Sequence, residues 1–164
     1  MATESARSEF RVEKERIDAV VTLSNGDSTQ GHFFVARGSA HDSGPERVGE
    51  LLNAEPGFFP FALRDPRANR TVLYNRRQVV VVALAENEAS RVPGYDVATE
   101  RFVSLLLSNG DRVTGAVRIY RPEGRDRLSD WARHADGFRY VETGDSTLLV
   151  NIAHVIELSE VSKP

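Results

Sequence analysis

The stretch Leu23-Ser24-Asn25-Gly26-Asp27 recurs letter for letter as Leu107-Ser108-Asn109-Gly110-Asp111. The likeness extends beyond these five residues in three ordered blocks. IDAVVTLSNGDSTQGHFFV (17–35) overlays RFVSLLLSNGDRVTGAVRI (101–119) at an offset of 84, with Gly26/Gly110 and Gly31/Gly115 in register. ERVGELL (46–52) overlays DRLSDWA (126–132), and Gly57-Phe58 overlays Gly137-Phe138, both at an offset of 80. TVLYNRRQVVVV (71–82) follows TLLVNIAHVIEL (147–158) at 76, through Asn75/Asn151 and Val79/Val155. A repeat of this size constrains the fold more than any single motif, because each copy must form the same supersecondary unit.

Within each copy the first block has the two-residue period of a strand. Ala19, Val21 and Leu23, and likewise Val103, Leu105 and Leu107, alternate with other positions, as half-buried strands do. Asn25-Gly26 and Asn109-Gly110 are therefore expected as structural hairpin turns of type I′, with positive φ at both central residues. The second strand runs through Phe33 and Val35, or Val117 and Ile119. The period then becomes helical at Val48, Leu51 and Leu52, and at Leu128, Trp131 and Ala132. Ser43 with Glu46 resembles a capping box, and Asp126 is placed to cap the second helix. Gly57 and Gly137 fit left-handed positions after each helix. Strands are expected at 57–63, 71–74 and 78–84, and at 137–142, 147–150 and 154–158. Asn75-Arg76-Arg77 and Asn151-Ile152-Ala153 form tight connections.

The expected fold is mainly β: two tandem small SH3-like antiparallel barrels of about 60 residues, each with a short inserted helix. Residues 1–15 form a polar leading segment, 16–84 the first barrel, 85–101 a connector broken at Pro93-Gly94, and 102–160 the second barrel. An alternating apolar strand, Asn-Gly, a Gly five residues later and a closing strand pair resemble the Sm-like family of small barrels. The RLSDW…GF…VN…V block (127–155) resembles an uncharacterised bacterial domain family with an R-L-S-D-type helix. The Sm-like resemblance implies rings that bind single-stranded RNA through polar residues beside the second and closing strands. The Asp and Asn of that pattern are absent from VARGSAH (35–41) and IYRPEGR (119–125), and its Arg-Gly pair is replaced by Asn75-Arg76 and Asn151-Ile152. The resemblance therefore implies the barrel skeleton without its base pocket.

With 164 residues, 40% of them hydrophobic and 27% charged, the chain has a globular composition. No apolar run approaches the roughly 20 residues of a membrane span, and no secretion signal is evident at the amino end, so a cytoplasmic location is expected. The absence of cysteine excludes disulfides, thiolate metal sites and cysteine nucleophiles. A net charge of −3 is not that of a surface that tracks nucleic acid throughout. Lys14 and Lys163 are the only lysines among 21 basic residues, a bias that codon usage in a GC-rich genome also produces.

The candidate binding residues are Arg64, Arg67, Arg70, Tyr74, Arg76 and Arg77, which would grip phosphates or stack on a base; a solvated loop has the same composition. Candidate interface residues are Phe59, Trp131, Arg127 and Asp130, the last two spaced for an i,i+3 ion pair. Either Phe58 or Phe59 must point away from its own barrel. The four histidines show no metal-ligand spacing, no nucleophile elbow is present, and no cofactor motif occurs. The expectation is a non-catalytic protein-interaction or assembly module with a protein partner or homo-oligomer. The alternative is nucleic-acid or nucleotide binding through 64–77.

Overall fold

A computed structural model describes residues 14–38, 44–65, 67 and 70–164. Strands β1 (Lys14–Leu23) and β2 (Ser28–Ala36) precede helix α1 (Val48–Ala54), followed by β3 (Phe58–Leu63), β4 (Arg70–Asn75) and β5 (Val79–Leu84). Two 3-10 turns, Glu88–Arg91 and Tyr95–Val97, fill the connector. Then come β6 (Thr99–Leu107), β7 (Arg112–Ile119), α2 (Leu128–His134), β8 (Phe138–Glu142), β9 (Thr147–Asn151) and β10 (Val155–Glu160). Short 3-10 turns at Arg76–Gln78 and Ile152–His154 make the tight connections. Ser43, one partner of the expected capping box, lies outside the described residues, as does most of the leading segment.

Two separate small barrels are the expectation from the repeat; the ten strands instead form one open antiparallel sheet. Its order is β10-β6-β7-β8-β9-β5-β1-β2-β3-β4. The order β5-β1-β2-β3-β4 in the first half recurs as β10-β6-β7-β8-β9 in the second, and β5 pairing with β9 joins the halves. This junction explains why Val79–Leu84 reads VVVVAL without alternation: a strand covered on both faces has no solvent side. Val79, Val82 and Leu84 belong to one core with Val21, Phe33, Phe59 and Phe61, while Val80 packs into the other with Val103, Leu105 and Val150. Phe138 and Leu149 cross the other way, into the core of the first half.

Both hairpins fall at the repeated motif, but with a different turn. Positive φ occurs at Gly26 (95°) and Gly110 (92°), and no other residue type has positive φ among the described residues. Gly26 N–H donates to Leu23 O at 3.0 Å and Leu23 N–H to Asp27 O at 2.8 Å. A type I turn closed by a left-handed glycine fits this pattern, with the glycine forming a bulge. Asn25 contributes through its side chain rather than through a left-handed backbone, its Oδ1 accepting from Asp27 N–H at 3.0 Å. Asn109 does the same for Asp111.

The helix starts also differ from expectation. The α1 N-cap is Arg47, whose N–H donates to Glu50 Oε2 at 2.8 Å. The free N–H groups of Val48 and Gly49 donate to the buried carboxylate of Glu88, at 2.9 and 3.1 Å. The α2 N-cap is Arg127; Asp126 instead accepts from Thr99 Oγ1 at 3.0 Å, and that bond holds its carboxyl below the usual range.

Tyr140 on β8 also donates its hydroxyl to Glu88. Burial, then the neighbouring Glu88 charge, pushes this phenol well above its ordinary value. A group whose pKa is raised by folding lends stability that is complete below its unfolded pKa, about 10 for tyrosine, and is lost as pH rises further. Urea unfolding between about pH 8 and 11 should therefore show stability falling above pH 10. Tyr140→Phe should make that fall shallower without abolishing it, because Tyr95 and Tyr120 are shifted the same way.

Candidate functional site

The six candidate binding residues do not form one cationic surface. Arg76 is 7% exposed, and its guanidinium donates to the carbonyl oxygens of Leu51 (3.0 Å), Leu52 (3.1 Å) and Phe58 (2.9 Å), with Pro56 at 3.5 Å. These donors satisfy the open carbonyl end of α1. Tyr74 is half-buried, packs on Phe59 and Phe61, and shares a hydrogen bond with Thr29. Arg64, Arg67, Arg70 and Arg77 are exposed; Pro66, Ala68 and Asn69 lie outside the described residues.

Phe59, expected at an interface, is a core residue at 1% exposure, whereas Phe58 points outward. Phe59 shares its strand face with Phe61, and both pack on Phe33. Trp131 is half-buried against the second core. Arg127 is exposed and Asp130 half-buried, and the expected ion pair is replaced by a backbone bond, Asp130 N–H donating to Arg127 O at 3.0 Å. His32, His134 and His154 lie apart in the chain, His41 is outside the described residues, and no group of three metal-ligating side chains occurs among the described residues.

The best-defined geometry is the joint between the halves. In its register Val81 faces Val150, Val82 faces Leu149, Ala83 faces Leu148 and Leu84 faces Thr147. Asn151 closes one end: its Oδ1 accepts from Ala153 N–H at 3.1 Å, while Nδ2 donates to Val79 O at 2.9 Å and Arg76 O at 3.3 Å in the other half. His154 lies beside it, with Nε2 2.7 Å from Arg77 O and Nδ1 2.7 Å from Ser108 Oγ. A carbonyl only accepts, so Nε2 carries a proton in this arrangement.

The outer edges, β4 and β10, present the same elements without their counterparts. Leu73 on β4, Ile156 on β10 and Phe58 on the adjoining β3 are 66%, 66% and 61% exposed. Their repeat equivalents at the joint are Leu149, Val80 and Phe138, which are 0%, 0% and 5% exposed. Asn75 caps its 3-10 turn as Asn151 does, accepting from Arg77 N–H at 3.1 Å. Its Nδ2, the group that spans the joint in Asn151, has no partner among the described residues. Sequence parity groups such residues by strand face without saying which face is outward, and only the pairing of β5 with β9 shows what their equivalents do.

Comparison with family models, curated proteins and solved structures returns no match. No helix among the described residues is long and apolar enough to cross a membrane.

Proposed function

We propose that this chain is a non-catalytic assembly module: a tandem of two Sm-like five-stranded units that adds further copies of itself edge to edge. The observation that carries this reading is the exposure of Leu73, Ile156 and Phe58 where the equivalent residues of the internal joint are buried. Laying β4 of one copy on β10 of the next, as β9 lies on β5, faces Tyr74 with Glu157, Leu73 with Leu158, Val72 with Ser159 and Thr71 with Glu160. Asn75 then reaches the carbonyls of Ile152 and Val155, as Asn151 reaches those of Arg76 and Val79. Charge agrees, since Arg70 opens β4 and Arg77 follows it, while Glu157 and Glu160, exposed and only loosely paired with Arg112 (3.6 Å) and Arg101 (3.9 Å), lie on β10.

Full burial of each large apolar side chain contributes roughly 1.5–3 kcal/mol. The added strand pairing also satisfies backbone groups that an edge leaves open. The two surfaces differ, so association is head to tail, giving a closed ring or an open filament according to the rotation at each step.

Light scattering across a concentration series should show species larger than the monomer, weakened by added salt. Leu73→Asp and Ile156→Asp should each return the protein to monomer with an unchanged circular dichroism melt, because both positions are exposed. A wild-type monomer at every concentration, or variants that assemble like wild type, would overturn the reading.

A further inference from the structure

A cavity of about 270 Å³ opens between α2, strands β7 and β8 and the connector, with Asn53 of α1 at its rim. We propose that it binds a small aromatic acid, a planar ring bearing a carboxylate. The apolar walls include Trp131, Phe138 and Tyr120, and the cationic groups are Arg118, Arg121 and Arg139. Glu142 is the one carboxylate in the lining, and it is already engaged. Tyr95 and Asn87 donate to its Oε1 at 2.6 and 3.1 Å, and Arg118 Nε lies 3.5 Å from its Oε2.

Two features point to an anion. The Nε–H of Arg139 is buried without a hydrogen-bond acceptor, and that of Arg118 lies 3.5 Å from the Glu142 carboxylate without forming a hydrogen bond, although both side chains are held in place. Arg118 is fixed by Glu100 at 2.9 Å and stacks 4.1 Å from the Tyr95 ring centre, and Arg139 is tied to Asp136 at 2.8 Å. Buried donors without acceptors are costly, and a ligand oxygen would relieve that cost if the guanidinium groups turn toward the cavity, since neither Nε is exposed to it here. Arg121 has no partner among the described residues.

The repeat supplies the other argument. At the equivalent positions the first half carries Leu51 for Trp131, Phe34 for Arg118 and Ala36 for Tyr120. The shared architecture therefore does not require an indole and a guanidinium here. An apolar cavity of about 150 Å³ suffices for benzene, so this larger, partly polar one has room for a ring and its carboxylate. Aromatic walls with a few placed polar groups are the usual composition of small-ligand sites.

Trp131 is the only tryptophan, so its indole N–H resonance reports on this cavity alone. Benzoate, titrated into the full chain, should shift that resonance saturably. Benzamide, which has the ring without the charge, and acetate, which has the charge without the ring, should each bind at least about tenfold more weakly. Arg121→Gln and Arg139→Gln should each weaken benzoate about tenfold with unchanged circular dichroism. Trp131→Leu, which installs the first half's residue, should abolish binding as read by calorimetry. The proposal fails if benzoate gives no saturable shift at millimolar concentration, if benzamide binds as well, or if both arginine variants bind like wild type. The same titration on the Leu73→Asp protein should be unchanged, which separates this site from edge-to-edge assembly.

Discussion

Gly31→Val should leave the chain unable to reach its native state, and even Gly31→Ala should lower stability by about 3 kcal/mol or more. A β-carbon on Gly31 would overlap the Ala62 carbonyl oxygen and lie 2.6 Å from Phe61 Cε1. Neither neighbour has room to yield. Ala62 is in the β3 backbone, paired with His32 on β2, and the Phe61 ring is fully buried among Phe33 and Tyr74. The short β2–β3 ladder, Gly31 with Leu63 and His32 with Ala62, forms where the two backbones cross closely. Valine would need more displacement than alanine, against a total stability of about 5–15 kcal/mol for a domain.

Gly115 is the same position in the second half, where a β-carbon would lie 2.6 Å from the Glu142 carbonyl oxygen and 2.9 Å from Val141 Cγ1. Gly115→Ala should therefore destabilise in the same direction. Gly144→Ala, with nothing within 4 Å, should stay within about 0.5 kcal/mol. Urea denaturation of the three alanine variants measures these differences, and a wild-type midpoint for Gly31→Ala would contradict the close crossing.

Arg76→Ala should cost about 2–4 kcal/mol, whereas Arg77→Ala, one residue away, should change stability by less than about 0.5 kcal/mol. Arg76 donates to the carbonyls of Leu51, Leu52 and Phe58, and its guanidinium lies 5.6 Å from the Phe59 ring centre. Alanine leaves those acceptors at the end of α1 without donors and opens space against Phe59. Burial lowers the Arg76 pKa, but an arginine remains charged throughout the accessible pH range, so its role is constant with pH. Arg76→Lys should recover only part of the loss, because an ammonium cannot reproduce the planar set of donors. Guanidinium chloride unfolding of the three variants would decide this. Equal effects for Arg76 and Arg77 would show that the buried network contributes little.

Element order and the turn positions were legible in the sequence because they depend on neighbours a few residues apart. Alternation at Val21 and Leu23, the helical spacing of Val48, Leu51 and Leu52, and the paired glycines all act locally. Even so, the turn type is not legible in the sequence, because Asn25 fits either hairpin and its side-chain bond to Asp27 favours the form with one left-handed residue. Alternation showed that Phe58 and Phe59 face opposite ways but carried no sign for which faces inward. That is decided by which of them meets Phe33.

Arg76 and Arg77 are identical as letters, and the stretch around them looked uniformly cationic. A 3-10 turn points one at the end of α1 and leaves the other in water. By itself, then, the sequence determined a repeated order of strands and helices and the positions of their tight turns. Tertiary structure alone decided that β5 meets β9, that the halves share one open sheet, and that a cavity forms beside Trp131. These depend on contacts between segments far apart in the chain, as β5 and β9 are, where local periodicity specifies which faces need covering but not what covers them.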